Sequence, residues 1–124
     1  EIRCVICEAQ FDDPFVQIEL MMPILPVVRV PDIDTAIDLA VKAEHGLRHT
    51  AHMHSKNIDH LTKFARAIET TIFVKNAPSY AGIGVGGEGH CTFTIAGPTG
   101  EGLTSAKSFC RRRRRAMVDS FRIV

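Results

Sequence analysis

Between Ile24 and Val74 short β-branched runs alternate with amphipathic helical stretches, and this alternation narrows the available folds more than any other feature of the chain. Ile24 to Val30 is apolar and short enough for a buried strand, and Pro31-Asp32 breaks it. Asp32 is placed to cap a helix in which Ile33, Ala36, Ile37, Ala40 and Val41 recur at helical steps, up to Gly46, where a left-handed residue costs little. A second strand fits Arg48 to His54. Asn57 then caps a helix whose stripe is Ile58, Leu61, Phe64, Ala65 and Ile68, and Thr71 to Val74 returns to strand character. Strand, helix, strand, helix, strand at this spacing predicts right-handed crossovers and an α/β fold, a parallel sheet with flanking helices.

Outside this unit the patterning is weaker. The opening run Ile2 to Cys7 is strand-like, as the start of a piece cut from a longer polypeptide would be. Asn76 to Gly89, with Pro78 and five glycines, reads as loop, and Cys91 to Ile95 as a further strand. Gly97-Pro98-Thr99-Gly100 is a turn, Leu103 to Phe109 a short helix, and Arg111 to Val124 an extended end.

Charge excludes some functions. With 15 Lys and Arg against 14 Asp and Glu the net charge is +1, so no long-range field draws the chain to nucleic acid or an anionic membrane. No charged-then-apolar leader is present, and the greasiest region, Ile18 to Val30, is interrupted by Glu19, Pro23, Pro26 and Arg29, which argues against a membrane span. Four cysteines at irregular spacing do not make a disulfide framework and fit a reducing, cytoplasmic setting.

Several motifs have a bland reading that outweighs the sharp one. Gly82, Gly84 and Gly87 satisfy G-x-G-x-x-G, but Cys91 to Ile95 is β-type where a dinucleotide fold needs a helix, so a flexible or tightly packed loop is expected. Cys4 and Cys7 form a C-x-x-C without a second pair and read as small core residues. His45 and His49 straddle the Gly46 helix end, and His52 and His54 share a strand face without a nearby acid, so no metal is expected. Alternation would send the arginines of Arg111 to Arg115 to both faces of a strand, which suits an exposed arm or a subunit interface, and no interleaved aromatics support nucleic acid.

Glu19 is the most pointed single residue, one acid in the apolar run Leu20-Met21-Met22-Pro23-Ile24-Leu25-Pro26 that leads into the first crossover. That run, followed by Glu44-His45-Gly46-Leu47-Arg48-His49-Thr50-Ala51, resembles the aldehyde dehydrogenase superfamily. Met53-His54-Ser55-Lys56-Asn57, Phe73-Val74-Lys75-Asn76, Gly86-Gly87-Glu88-Gly89, Pro98-Thr99-Gly100-Glu101-Gly102 and the ending Val118 to Val124 resemble its CoA-acylating branch, the propionaldehyde and acetaldehyde dehydrogenases of bacterial microcompartments. The likeness covers nearly the whole chain but matches only the C-terminal part of such an enzyme.

The resemblance implies a catalytic-domain portion over residues 1–102 and a terminal helix with an oligomerisation arm over 103–124. It implies NAD as cofactor, coenzyme A as co-substrate, a short aldehyde as substrate and a homo-oligomer joined through 111–124, cytoplasmic or inside a microcompartment. Glu19 matches the family glutamate that binds the nicotinamide-side ribose, and Met21 falls where an aromatic often packs on the nicotinamide. Ser79, Tyr80 and Ile83 fall in the loop that resembles the aldehyde entrance. The nucleotide-binding domain and the nucleophilic cysteine lie upstream of the matching region, and none of Cys4, Cys7, Cys91 and Cys110 takes the nucleophile's place. By itself the segment is therefore expected to be inactive, and the alternative is a non-catalytic binding or assembly module of the same fold.

Overall fold

A computed structural model describes residues 2–87, 90–97, 102–116 and 118. Strands β1 (Val5–Glu8), β2 (Ile24–Val27), β3 (Thr50–Met53) and β4 (Ile72–Lys75) alternate with helices α1 (Pro14–Gln17), α2 (Ile33–Ala43) and α3 (Ile58–Ile68). A 3-10 turn at Ser79–Ala81, the short strands β5 (Ile95–Ala96) and β6 (Gly102–Leu103) and a second 3-10 turn at Ala106–Phe109 complete the described elements.

Each helix starts where its cap dictates. Asp32 Oδ1 accepts from the Thr35 amide at 2.7 Å, and the bonds from the Thr35 amide and hydroxyl hold the Asp32 carboxyl below the ordinary carboxylate range. Asn57 Oδ1 accepts from the amides of Asp59 and His60 at 3.0 and 3.1 Å. Asn57→Ala leaves those donors to water and is expected to cost about 1 kcal/mol, read as a lower urea midpoint. The short α1 begins with Pro14 behind the Asp13 cap.

Ile37 from α2 and Phe64 and Ile68 from α3 close on Ala51 of β3 as the core, with Met53 and Phe73 packed against it. Phe64 meets Phe73 edge to face, ring centroids 5.5 Å apart. Lys63 Nζ on α3 donates to Asp34 Oδ1 on α2 at 2.6 Å across the exposed side of the helix pair. That bond raises the Lys63 pKa above its ordinary value.

β3 and β4 pair in parallel, Thr50 opposite Ile72 and His52 opposite Val74, as the crossover rule predicts. Because Ala51, Met53 and Phe73 face the helices, Thr50, His52, Ile72 and Val74 belong to the opposite face. The segment after β4 lies on that face: a Cβ added to Gly82 would stand 2.3 Å from Ile72 Cγ2 and 3.0 Å from Val74 Cγ2.

The parallel pairing and the flanking helices are as expected, and the continuity of the sheet differs. Among the described residues β2 pairs with β1 rather than β3, so the expected run of neighbouring parallel strands is divided into two-stranded sheets. The carbonyls of Pro23 and Val27 accept from Val5 and Ala9, so alternate residues of β2 face β1 and Pro26 falls on the other edge. Having no N–H, Pro26 leaves that edge a donor short and β3 is not its partner.

Other expectations shift as well. Residues 91–94 are not strand; β5 starts at Ile95 and pairs antiparallel with β6, and Phe93 stands in solvent. With few apolar neighbours in this glycine-rich stretch, β propensity has no surface to pack on. The expected helix from Leu103 gives way to β6 and the 3-10 turn, because Ser105 caps a turn beginning at Ala106. α2 ends at Ala43, and His45 takes a left-handed φ of 55° as well as Gly46 at 77°. Cys4 is exposed rather than packed in a core. Residues 111–116 are irregular and exposed rather than strand, and 117 and 119–124 of the expected arm lie outside the described residues.

Candidate functional site

The end of α1, the end of α2 and the turn into β3 converge on a cavity of about 640 Å³. Its wall includes Gln17, Ile18 and Glu19 on one side, Glu44, His45, His49 and Thr50 on the other, and Gly97. Gln17 Nε2 donates to the Phe11 carbonyl, which ties the α1 end to the loop before it. His45 Nε2 is 3.1 Å from the Gln17 carbonyl, and since a carbonyl only accepts, that nitrogen carries the proton. This bond pins the α1 end to the α2 end across the cavity.

Across from Glu19 the turn is fixed by its own polar groups. The His49 amide donates to Glu44 Oε1 at 3.2 Å, and His49 Nδ1 lies 2.7 Å from Thr50 Oγ1. The Arg48 guanidinium pairs with Glu69 at 2.9 Å, away from the cavity wall. The Glu19 carboxylate, by contrast, takes no hydrogen bond or ion pair from another described residue. Among the described residues, then, it is an acceptor with both oxygens unengaged on the rim of a cavity in the size range of small-molecule sites, able to take a vicinal pair of hydroxyls.

The structure groups the expected site residues unevenly. Glu19 lines the cavity, whereas Met21, 87% exposed with φ 50°, is not part of its wall. Ser79, Tyr80 and Ile83 belong to the turn on the outer face of β3 and β4, not to the cavity of Glu19. Ser79 Oγ is 2.9 Å from His52 Nε2 on β3.

Sequence reasoning missed Glu44, His45, His49 and Thr50 as cavity residues. It tested the two histidines as metal ligands on a helix face, while they act as anchors in a turn that follows the helix. The usable signal was an acid and two histidines in a six-residue run at a strand start, where left-handed residues other than glycine are tolerated for a reason. Met21, His45 and Arg48 all have positive φ. Among the described residues no group of three or more His, Cys, Asp and Glu is arranged to hold a metal ion, and no helix is long and apolar enough to cross a membrane.

A family model described as "Aldehyde dehydrogenase family" matches residues 4–104. The chain is 58% identical over 121 residues to the propanal dehydrogenase (CoA-propanoylating) of Salmonella typhimurium, an alignment that takes in 98% of this chain and 26% of that protein. Among solved structures it is similar to Rhodopseudomonas palustris propionaldehyde dehydrogenase with bound CoA and an acylated cysteine, with a TM-score of 0.86 and 66% identity over 92% of this chain and 26% of that one. It is also similar to a propionaldehyde dehydrogenase from the Clostridium phytofermentans fucose utilisation bacterial microcompartment, with a TM-score of 0.87 and 60% identity over 97% of this chain and 28% of that one. The chain thus spans about a quarter of the length of the relatives it matches.

Proposed function

This chain belongs to the aldehyde dehydrogenase family, and from that premise we propose that it is the C-terminal portion of the catalytic domain of a CoA-acylating aldehyde dehydrogenase. The enzyme oxidises a short aldehyde such as propionaldehyde or acetaldehyde to the acyl-CoA through a thioester on a cysteine that the remainder of the polypeptide supplies. The relatives, a CoA-propanoylating propanal dehydrogenase and a propionaldehyde dehydrogenase with bound CoA, support this reading. The observation that carries it is Glu19, a carboxylate on the cavity wall with no partner among the described residues, in the stretch that matches the family.

In this reading Glu19 accepts hydrogen bonds from both hydroxyls of the nicotinamide-side ribose of NAD, and a carboxylate does this better than an amide because the bonds are charge-assisted. NAD, when bound, takes up the hydride and coenzyme A carries the acyl group away. The chain's own contribution is placement: the His45 bond to Gln17 holds the two walls in register, so the ribose is presented at one height. Met21 covers the nicotinamide side as a pliable apolar contact. Ser79, Tyr80 and Ile83 line the aldehyde entrance, and residues 111–124 form the arm that joins subunits. The assembled enzyme is cytoplasmic or held in a microcompartment, a setting that one solved relative's name supports.

The test is direct. The full-length polypeptide containing this segment, given propionaldehyde, NAD and CoA, is expected to produce NADH and propionyl-CoA in equal amounts, followed by absorbance and mass spectrometry. The segment by itself is expected to produce neither. A full-length protein that forms no acyl-CoA with either aldehyde would refute the reading and leave the assembly module as the alternative.

A further inference from the structure

The loop that carries Ser79, Tyr80 and Ile83 is held at both ends and at its middle. At its start Asn76, with φ 54°, exchanges two hydrogen bonds with the Ser55 backbone, taking the amide proton at 2.8 Å and giving to the carbonyl at 2.9 Å. Inside the loop the amides of Ala81, Gly82 and Ile83 bond back to Pro78, Ser79 and Tyr80, and the Val85 amide bonds to the Tyr80 carbonyl at 2.8 Å. Farther on, the Thr92 amide bonds to the Ile83 carbonyl at 3.2 Å. These contacts give the loop its shape, while Gly82 against Ile72 and Val74 sets its closest approach to the sheet.

Gly82 rests on aliphatic methyls, which resist approach but do little to prevent sliding along the sheet. The directional tie is the bond from Ser79 Oγ to His52 Nε2 at 2.9 Å. His52 sits in the middle of β3, opposite Val74, on an element backed by the core, so its ring is carried by a rigid support. A serine hydroxyl gives or takes the proton, so either neutral tautomer of His52 sustains the bond.

We propose that His52 is a positioning residue, which fixes Ser79 and through it the placement of Tyr80 and Ile83 at the aldehyde entrance. The inference rests on the reading of that loop as the aldehyde entrance. Losing one neutral hydrogen bond then acts on aldehyde binding and leaves the cavity of Glu19, whose wall shares no residue with the loop, unaffected.

In the full-length enzyme His52→Leu and Ser79→Ala are each expected to raise the KM for aldehyde by about two- to tenfold, the range that one neutral hydrogen bond supports. The KM for NAD stays unchanged, and the double variant is no worse than the poorer single one because both remove the same bond. His52→Gln, whose side-chain amide reaches the same place, restores the KM. Hydrogen exchange over residues 78–85, measured on the same proteins, accelerates in His52→Leu and Ser79→Ala and returns to the parent rate in His52→Gln. Unchanged exchange in His52→Leu overturns the inference, as does faster exchange with an unchanged aldehyde KM, and in either case the proposed activity stands. If the unsubstituted enzyme oxidises no aldehyde the activity falls instead, and the exchange rates alone decide whether His52 holds the loop.

Discussion

Glu19→Gln in the full-length enzyme is expected to lower kcat/KM for NAD by roughly ten- to hundredfold, while the KM values for aldehyde and CoA change little. The substitution keeps the size and shape of the side chain and removes its charge, so the loss is confined to what the charge does. A hydrogen bond to a charged group contributes about 1.5–3 kcal/mol, which corresponds to that range in rate or affinity. Glu19 is suited to so large an effect because its carboxylate has no other described partner to lose or regain, so the full change falls on the ligand. Steady-state kinetics with NAD varied at saturating aldehyde and CoA make the measurement. NAD kinetics equal to those of the parent would remove Glu19 from the cofactor site.

The second large effect is structural. Phe64→Ala is expected to destabilise the domain by about 3–5 kcal/mol, a large share of what a single domain has. Phe64 is 7% exposed and lies in the core cluster with Ile37, Ala51 and Ile68, so the vacated volume is bounded by β3 and both long helices. The edge-to-face contact with Phe73 goes with it. Differential scanning calorimetry or urea titration reads the loss as an early transition of the catalytic domain. A cost below about 1 kcal/mol would mean the site closes up after truncation, contrary to the well-supported packing described.

The parts of the fold that could be read from sequence are those whose signal is local. The stripes of α2 and α3, the Asp32 and Asn57 caps and the runs that became β3 and β4 all express short-range preferences that packing then reinforced. Strand pairing is not local. Once β2 joins β1, Pro26 falls on the opposite edge, and that placement depends on register, which no hydrophobic run specifies. α1 went unread because four residues do not complete a stripe.

The site divides in the same way. Glu19 stood out because an acid in an apolar run is costly without a purpose, whereas His45 and His49 meet it only after the chain has turned twice through left-handed residues. The His52 pairing with Ser79 bridges two elements whose contact arises from the loop folding back over the sheet. Alternation places His52 on a strand face with His54, which is true of its backbone and says nothing of the partner of its ring.

Gly82 bears on how the loop above β3 and β4 can diversify over time. Any side chain there would collide with Ile72 and Val74, so the loop cannot change its height above the sheet by drift at that position without disturbing a strand. Tyr80, 57% exposed, is under no such restraint. If this loop is the aldehyde entrance, as proposed, new aldehyde preferences are most accessible through exchanges at Tyr80, with Gly82 as the fixed pivot. An enzyme lineage can in this way retune what it admits while the platform beneath the loop stays as it is.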